Sequence, residues 1–386
     1  MNKELSTQIN SLIESIPNLG DKQRSEITAS VQVLLSEALL HKKVTWAAHM
    51  TPETGSAALL GNLIAAHHNG NLLSANLYPQ LAEIEAQLIS WLCQPFYKQH
   101  GHFTHGSSYG NLEALWHARE HNKSSSNIVY GSSATHYSVA KACRILGLEF
   151  RAITTDSVGK IETDALQTAC KQNPPLAIVA TVGTSSSGAI DSLERCANIA
   201  DDLNCWLHID AAWGGALAFL EGQTMLTGIE RADSLCFDPH KALGLPKPCS
   251  VILYQQPLES FTDIEADYLS QTPKKTLAGS YGGELFLSLW FRLLCNKDGI
   301  ISEVYNRLEQ AQLFANKLKD KTDWTIWHSP TGIVCFAPNN DKERLALENI
   351  TTFSNAKINN QPVFRAVFAS TTTKADALFT ELEPYL

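Results

Sequence analysis

The chain has 386 residues, a formal net charge of −9, 44% hydrophobic residues and 18% charged residues. This is an ordinary composition for a globular protein, and the length suffices for one large and one smaller domain. No lysine- and arginine-rich cluster is present, which argues against nucleic acid as the main partner. No apolar run approaches the ~18 residues of a membrane span, and residues 1–10 lack the apolar core of a signal peptide. Nine cysteines without metal-ligand spacing fit reduced thiols, so we expect a cytoplasmic protein without a bound metal.

The predicted elements begin with a helical arm over residues 1–50, where apolar residues recur at three- and four-residue spacing. Residues 51–296 form the predicted large domain, in which short apolar or β-branched runs alternate with helical segments. This alternation predicts a mainly parallel central sheet flanked by helices. The last two strands leave little room for a helix between them, so we expect them to pair antiparallel. The predicted strands are Asn127–Tyr130, Phe150–Ile153, Leu176–Ala180, Trp206–Asp210, Ser234–Phe237 and Ser250–Tyr254.

Residues 297–386 form a predicted small α+β domain at the C-terminal end of this α/β protein. A long helix is predicted from Ile300 to Asp320. Thr373 followed by Asp376 resembles a capping box and predicts a last helix. The predicted strands of this domain lie near Trp324–His328, Gly332–Phe336 and Val363–Phe368.

Two short motifs carry the strongest chemical signal. Asp210 ends a predicted strand in His-Ile-Asp-Ala-Ala, and Lys241 follows the next predicted strand in Asp-Pro-His-Lys. A lysine amine can form a Schiff base with the aldehyde of pyridoxal 5′-phosphate (PLP), while a carboxylate keeps the ring nitrogen protonated. Burial beside a cationic cofactor would lower the pKa of Lys241 enough to permit this. Taken separately, the aspartate could cap a turn and the lysine could lie in a surface turn, but their combination favours a cofactor site.

Three further segments suit the same site, although each also has a purely structural interpretation. Gly106, Ser107 and Ser108 precede a helical segment, where backbone N–H groups favour a phosphate, but such residues also cap many helices. His136 opens another helix and could stack on a planar cofactor or simply cap that helix. Thr184 lies in a hydroxyl-rich loop after a strand, where open α/β sheets bind ligands, or in an ordinary polar loop.

These motifs and their order resemble the group II PLP-dependent amino-acid decarboxylases of the aspartate aminotransferase superfamily, fold type I. The resemblance extends from Met50 nearly to the C-terminus. It implies PLP as the cofactor, a small-molecule amino acid as the substrate, and a homodimer with active sites at the subunit interface. The matching motifs are Gly106–Asn111, Thr135–Val139, Gly183–Asp191, His208–Ala212 and Asp238–Lys241.

The resemblance also implies a role for each matching residue. Lys241 would form the Schiff base, Asp210 would contact the pyridine nitrogen, and His136 would stack on the ring. Arg365 matches an arginine that binds a substrate carboxylate in several members. The other implied cofactor contacts are Ser107, Ser108 and His240 at the phosphate, Thr184 near the ring, and Ala212 against its second face.

We therefore predict decarboxylation of an L-amino acid to the corresponding amine and CO2 through a Lys241 Schiff base. The alternatives are decarboxylation-coupled aldehyde synthesis, transamination, C–S cleavage, and a non-catalytic PLP-binding paralogue. The motifs rank 2,4-diaminobutyrate-like or other small polar amino acids ahead of aromatic ones. The segment from Tyr268 to Gly279 is shorter than in larger members, and it leaves Tyr268, Tyr281 and a partner-chain residue as alternative proton donors.

Overall fold

The computed structural model describes residues 3–121, 126–257 and 276–386. No helix in these ranges has the length and apolar character needed to cross a bilayer. The α-helices are α1 Lys3–Ser15, α2 Asp21–Ala38, α3 Ser56–His68, α4 Pro79–Cys93, α5 Ser107–His121, α6 Tyr137–Leu146, α7 Thr163–Gln172, α8 Leu193–Leu203, α9 Pro239–Ala242, α10 Leu287–Lys321, α11 Asp341–Leu347 and α12 Ala375–Thr380.

The β-strands divide into a seven-stranded sheet and a four-stranded sheet. The larger sheet contains β1 His100–Thr104, β2 Ile128–Ser132, β3 Glu149–Ile153, β4 Ala177–Thr181, β5 Trp206–Asp210, β6 Ser234–Phe237 and β7 Ser250–Tyr254. The smaller sheet contains β8 Thr325–Ser329, β9 Ile333–Ala337, β10 Ser354–Ile358 and β11 Gln361–Val367.

The larger sheet has the strand order β1-β7-β6-β5-β4-β2-β3. Strands β2 to β6 pair in parallel, whereas β7 runs antiparallel to both β6 and β1. The predicted α/β class, the six predicted strands and the antiparallel last pair are therefore confirmed. Strand β1 was missed because its sequence, His-Gly-His-Phe-Thr, contains no apolar run.

The carboxyl ends of β4, β5 and β6 form one edge of this sheet. Thr181 ends β4 beside Asp210, the last residue of β5, and Asp210 in turn pairs with Cys236 of β6. All five residues of β4 are buried, as expected for a central strand covered on both faces. Because parallel strands point the same way, their final side chains and the loops after them meet at this edge.

The smaller sheet has the order β10-β11-β9-β8 with antiparallel pairing throughout. It packs against α10, which starts earlier than predicted and is broken at Asn296, where φ is −162° and ψ is 75°. The predicted last helix is present as α12, but its predicted capping box is wrong. Lys374 occupies the N-cap position without a side-chain cap, and Thr373 Oγ1 donates to Trp46 O at 2.6 Å. Strand β10 was missed because its sequence, Ser-Asn-Ala-Lys-Ile, is largely polar.

The N-terminal arm joins the small domain through the segment after α2. Val367 N donates to Ala47 O at 2.8 Å, and Ala47 is fully buried in the core formed with Phe314, Phe336 and Phe368. Burying one such phenylalanine contributes about 1.5–3 kcal/mol. The domain limits at residues 50 and 296 stay predictions.

Candidate active site

A cavity of about 400 Å³ opens at the carboxyl edge of β4 to β6. The turn before α5, the ends of β4 and β5, and the short helix α9 form its wall. Thr184 and Arg365 are not among the lining residues. All the other predicted site residues line it, namely Ser107, Ser108, His136, Asp210, Ala212, His240 and Lys241.

Lys241 and Asp238 form an ion pair on this wall. Lys241 Nζ lies 2.8 Å from Asp238 Oδ2, and their three-residue spacing across the start of α9 brings the two side chains together. Burial lowers the pKa of Lys241, but the charge and hydrogen bond of Asp238, together with the charge of Asp210, outweigh burial and hold this pKa above its usual value. The lowering expected from sequence concerns the protein with its cofactor bound, so it stays a prediction, and the role of Asp238 was not anticipated.

Asp238 also holds the first residue of α5. Its Oδ1 accepts hydrogen bonds from Ser107 N at 3.1 Å and from Ser107 Oγ at 2.7 Å, and a further bond from Ser250 Oγ. Burial raises the pKa of Asp238, yet Lys241 and the other partners outweigh it and hold this pKa below its usual value. The Ser107 side chain is thus committed to Asp238, which does not support its predicted phosphate contact. Ser108 is exposed on the cavity wall, so its own predicted phosphate contact stays a prediction.

Asp210 is a buried carboxylate at the end of β5. It is 4% exposed, and its Oδ2 accepts from Asn111 Nδ2 at 3.1 Å while its Oδ1 accepts from Ala212 N at 3.1 Å. Among the residues that the structure describes, no lysine, arginine or histidine forms an ion pair with it. A buried carboxylate is costly without a cation, so this position suits a positively charged ligand group.

Asn111 on α5 connects Asp210 to a chain of buried polar side chains. Its Nδ2 also donates to Ser138 Oγ at 2.9 Å, and its Oδ1 lies 2.8 Å from His208 Nε2. Because an ionised carboxylate only accepts, the amide nitrogen must face Asp210 and the amide oxygen must face His208. His208 therefore carries its proton on Nε2, and its Nδ1 accepts from Ser234 Oγ at 2.8 Å. Burial lowers the pKa of His208 to about 4, which agrees with a neutral ring.

His136 lies at the cavity end of the same chain and caps α6. Its Nδ1 accepts from Ser138 N at 3.3 Å and lies 2.7 Å from Ser138 Oγ. Ser138 Oγ already accepts a hydrogen bond from Asn111, so the Ser138 hydroxyl hydrogen points to His136 Nδ1. The neutral His136 ring therefore carries its proton on Nε2. Burial lowers the pKa of His136, which favours that neutral form. The helix-cap interpretation is confirmed, and stacking on a cofactor stays a prediction.

Two buried polar atoms at the cavity have no hydrogen-bond partner in the described part of the chain, Thr181 Oγ1 and Trp213 Nε1. Leaving such an atom unpaired costs about 1–3 kcal/mol, and a bound ligand is one partner that would remove this cost. Thr184 is instead fully buried, with its Oγ1 3.1 Å from Ser187 Oγ and accepting from Ala189 N at 3.2 Å. The predicted ring contact of Thr184 is therefore not supported, and Thr181 is the threonine at the cavity.

Arg365 lies on β11 beside the cavity. Its Nε donates to Ser354 Oγ at 2.9 Å, and its terminal nitrogens donate to Ser185 O and to Ala48 O. Ser185 lines the cavity, so the guanidinium lies directly behind the wall. Burial lowers the pKa of Arg365. Binding of a substrate carboxylate by this residue stays a prediction.

His240 is buried on the wall, where its Nδ1 donates to Cys249 O at 2.7 Å. Of the tyrosines considered as proton donors, Tyr268 lies outside the described residues. Tyr281 Oη donates to Glu85 Oε2 at 3.1 Å, and Tyr281 does not line the cavity. Burial and the Glu85 charge raise the pKa of Tyr281, so this phenol holds its proton tightly.

Sequence reasoning assigned no role to three residues of this site, Asn111, Thr181 and Asp238. A signal existed for each: Asn111 lies four positions after Ser107 on one helix, Thr181 ends a strand, and Asp238 precedes Lys241 by three positions. Among all the described residues, no three His, Cys, Asp or Glu side chains lie together in a way that could hold a metal ion.

Sequence comparison relates the chain to known proteins. The profile of the family described as "Pyridoxal-dependent decarboxylase conserved domain" matches residues 14–338. An aspartate 1-decarboxylase of Aliivibrio fischeri is 26% identical over 372 residues, covering 82% of this chain and 68% of that protein. An L-2,4-diaminobutyrate decarboxylase of Rhizobium meliloti is 30% identical over 278 residues, covering 67% of this chain and 55% of that protein. The chain thus spans between about half and two thirds of the length of these relatives.

Comparison with solved structures shows the same fold. The crystal structure of mouse CSAD in apo form superposes with a TM-score of 0.83, covering 98% of this chain and 91% of that chain. The identity is 20%, so this likeness concerns the fold alone.

Proposed function

Since the chain belongs to the pyridoxal-dependent decarboxylase family, whose cofactor is PLP, we propose that it decarboxylates an L-amino acid to the corresponding amine and CO2, with Lys241 attaching the cofactor. One observation carries this proposal: Lys241, Asp210 and two unpartnered polar atoms share a single cavity at the carboxyl edge of the sheet. The relatives are named for different substrates, aspartate and 2,4-diaminobutyrate, so their names leave the amino acid open.

The chemistry of the cavity wall fits PLP. Asp210 offers a buried carboxylate that forms no ion pair with the described residues, which suits a protonated ring nitrogen. The first turn of α5, with Ser108, offers donors for a phosphate, because the N-terminus of a helix favours an anion. Ala212 is small enough to leave room beside a planar ring, and Thr181 could satisfy its unpaired hydroxyl on the ligand.

The residues around this cofactor have separate proposed roles. When bound, PLP supplies a protonated ring that accepts the electron pair left by the departing CO2. Asp210 keeps the ring nitrogen protonated, and the bonds from Asn111 and Ala212 N fix the orientation of its carboxylate. His136, held by Ser138, lines the cavity with a neutral ring and is proposed to stack on the cofactor ring.

Lys241 must be deprotonated before its amine can act as a nucleophile. Asp238, 2% exposed and 2.8 Å from the amine, holds the proton on Lys241 in the cofactor-free protein. We infer that Asp238 sets the pH at which Lys241 becomes reactive. Arg365 is proposed to bind a substrate carboxylate, which is supported by its bond to Ser185 on the cavity wall and by its uncharged partners in the described residues.

Product analysis tests this proposal against the other reactions that the same residues could support. PLP-loaded protein is incubated with a panel of amino acids, and CO2, amine, aldehyde, ammonia and keto acid are quantified. Equal amounts of CO2 and amine support decarboxylation, with activity lost in Lys241→Ala and kept in a Lys171→Ala control at the exposed end of α7. Aldehyde with ammonia, or a keto acid, would replace this proposal by one of the rival reactions. Cofactor binding without any product would indicate a non-catalytic paralogue.

We also propose that the protein is a cytoplasmic homodimer with active sites at the subunit interface. Apolar side chains are exposed on α2, at Val33 and Leu34, and on α3, at Leu59 and Leu63, and such patches mark interaction surfaces. All nine cysteines are free, which supports a reducing compartment. Light scattering should give twice the chain mass, and Leu63→Lys should shift the protein towards monomer.

A further inference from the structure

Basic side chains from three chain segments lie on or near the cavity wall, and the exposed Lys247 marks its open end. Lys247 lies on the cavity wall after α9, exposed, with its Nζ 3.5 Å from Thr51 Oγ1. Arg365 reaches the same wall from β11 through its bond to Ser185 O. The charges of Arg365 and Lys247 both act on His49: burial lowers the pKa of His49, and these two charges lower it further. Lys247 and Arg365 therefore bring positive charge to this wall of the cavity.

No acidic side chain of the described residues neutralises these charges through an ion pair with Lys247 or Arg365. The two acids on the cavity wall are already engaged. Asp238 pairs with Lys241, and Asp210 accepts from Asn111. Unpaired positive charge on a cleft wall attracts an anion from solution, even though the net charge of the chain is −9.

We propose that the substrate is an amino acid with an acidic side chain, and that Lys247 binds its side-chain carboxylate or sulfinate at the open end of the cavity. This inference rests on the proposed decarboxylation and adds the class of substrate to it. An amino acid with a second ammonium group, such as 2,4-diaminobutyrate, would meet like charge at Lys247 and Arg365. This proposal therefore favours an acidic amino acid over diaminobutyrate, which the sequence motifs ranked with other small polar amino acids.

A contact with the cofactor phosphate is the competing role for Lys247. The proposed phosphate position lies at the start of α5, where Ser108 and the backbone N–H groups of the first turn already provide donors. The two roles differ in what they change: a phosphate contact affects the affinity for PLP, whereas a substrate contact affects the KM of acidic amino acids alone.

The test compares the wild type with Lys247→Met, which removes the charge and keeps the length of the side chain. The matched control is Lys171→Met on the surface of α7. For each PLP-loaded protein, kcat and KM are measured with L-aspartate, L-glutamate, L-cysteine sulfinate, and the amides L-asparagine and L-glutamine. Two further readouts do not need turnover: the Kd of PLP by absorbance titration, and the Kd of the same amino acids by calorimetry.

The wild type is expected to prefer an acidic amino acid over its amide by about tenfold or more in kcat/KM, since a charged hydrogen bond contributes 1.5–3 kcal/mol. Lys247→Met should raise KM and Kd for that acid by about 10- to 100-fold. Lys247→Met should leave its kcat, its constants for the amides and its Kd of PLP within about twofold of the wild type, the usual scatter for independent sites. All constants of the Lys171→Met control should stay within the same range.

Three results would overturn this inference. A weaker affinity for PLP in Lys247→Met would assign the residue to the cofactor. CO2 and amine from diaminobutyrate or an aromatic amino acid, with none from acids, would keep the decarboxylase function and reject the acidic substrate. If no amino acid is turned over, the decarboxylase proposal fails, and an equal Kd of acidic amino acids for the wild type and Lys247→Met by calorimetry would overturn this inference as well.

Discussion

The side-chain nitrogen of Asn111 donates a hydrogen bond to Asp210 Oδ2 at 3.1 Å in a fully buried setting. Asn111 uses both its hydrogens and its oxygen, since it also contacts Ser138 and His208. One amide on α5 thereby fixes the Asp210 carboxylate and, through Ser138, the proton position of His136. The electrostatics of the cofactor site therefore depend on a residue that does not line the cavity.

Asn111→Asp tests this connection by placing a second carboxylate beside Asp210 in the same volume. The two carboxylates would repel, one would take up a proton, and the ring nitrogen would lose a fully charged partner. We expect the Kd of PLP to rise at least about tenfold, with a shifted absorbance–pH profile of the bound cofactor. Asn316→Asp, exposed on α10, is the matched control. An unchanged Kd and profile in Asn111→Asp would show that Asp210 acts without this support.

Asp238→Asn should extend the reactivity of Lys241 to lower pH. Asp238 holds the pKa of Lys241 above its usual value, so loss of the charge lowers that pKa and frees the amine earlier on the pH scale. The measurement is the rate at which cofactor-free protein attaches PLP, followed by absorbance across pH. The midpoint of the rate–pH curve should move down relative to wild type.

The stability of the same variant gives an independent check. Lys241 has a raised pKa and Asp238 a lowered one, so the ion pair stabilises the folded state between the two values. This contribution is lost as pH falls through the pKa of Asp238 and as pH rises through the pKa of Lys241. In Asp238→Asn, the free energy of unfolding should therefore change less with pH at both the acidic and the alkaline end. A free energy of unfolding with the same pH dependence as the wild type would contradict the assigned ion pair.

Thr181→Val and Thr184→Val form a matched pair with opposite expected effects. Thr181→Val removes an unpaired buried hydroxyl, so stability without cofactor should hold or rise while the affinity for PLP falls. Thr184→Val removes the partner of Ser187 and Ala189, so it should destabilise by about 1–2 kcal/mol with little effect on PLP. Chemical denaturation and cofactor titration separate the two. The reverse pattern would restore Thr184 as the cofactor contact.

His208 should make the protein acid-sensitive. Burial lowers its pKa from 6.5 to about 4 in the folded state, so the unfolded chain binds the extra proton between these pH values. The free energy of unfolding should therefore fall as pH drops across that window, by roughly 3 kcal/mol from this group. His208→Gln, which keeps a donor for Asn111 and cannot titrate, should show a shallower slope. Parallel slopes in urea titrations would remove His208 as the cause.

Much of the fold followed from the sequence because parallel strands buried on both faces appear as short apolar runs. Trp206–Asp210 and Ser234–Phe237 are examples, and their ends place Asp210 and Lys241 at one edge. Local patterns carry this information, since each strand and its following loop are contiguous in the chain. The motifs for Lys241 and His136 were found in the same way.

Side-chain partners were not predictable from those patterns because they depend on residues far apart in the chain. Asn111 meets Asp210 and His208 only after α5 packs on the sheet, and Ser107 meets Asp238 across the same interface. The choice between Thr181 and Thr184 likewise depends on which hydroxyl the turn after β4 directs inward. Distances between such partners decide which donors stay available for a ligand.

Reductive trapping gives the most direct test of the central claim, that Lys241 holds the cofactor opposite Asp210. PLP-loaded protein is treated with borohydride, digested, and examined by mass spectrometry for a pyridoxyl group. The account predicts this group on Lys241 and its loss in Lys241→Ala. A pyridoxyl group on another residue, such as Lys247, or none on Lys241 in PLP-saturated wild type, would contradict it.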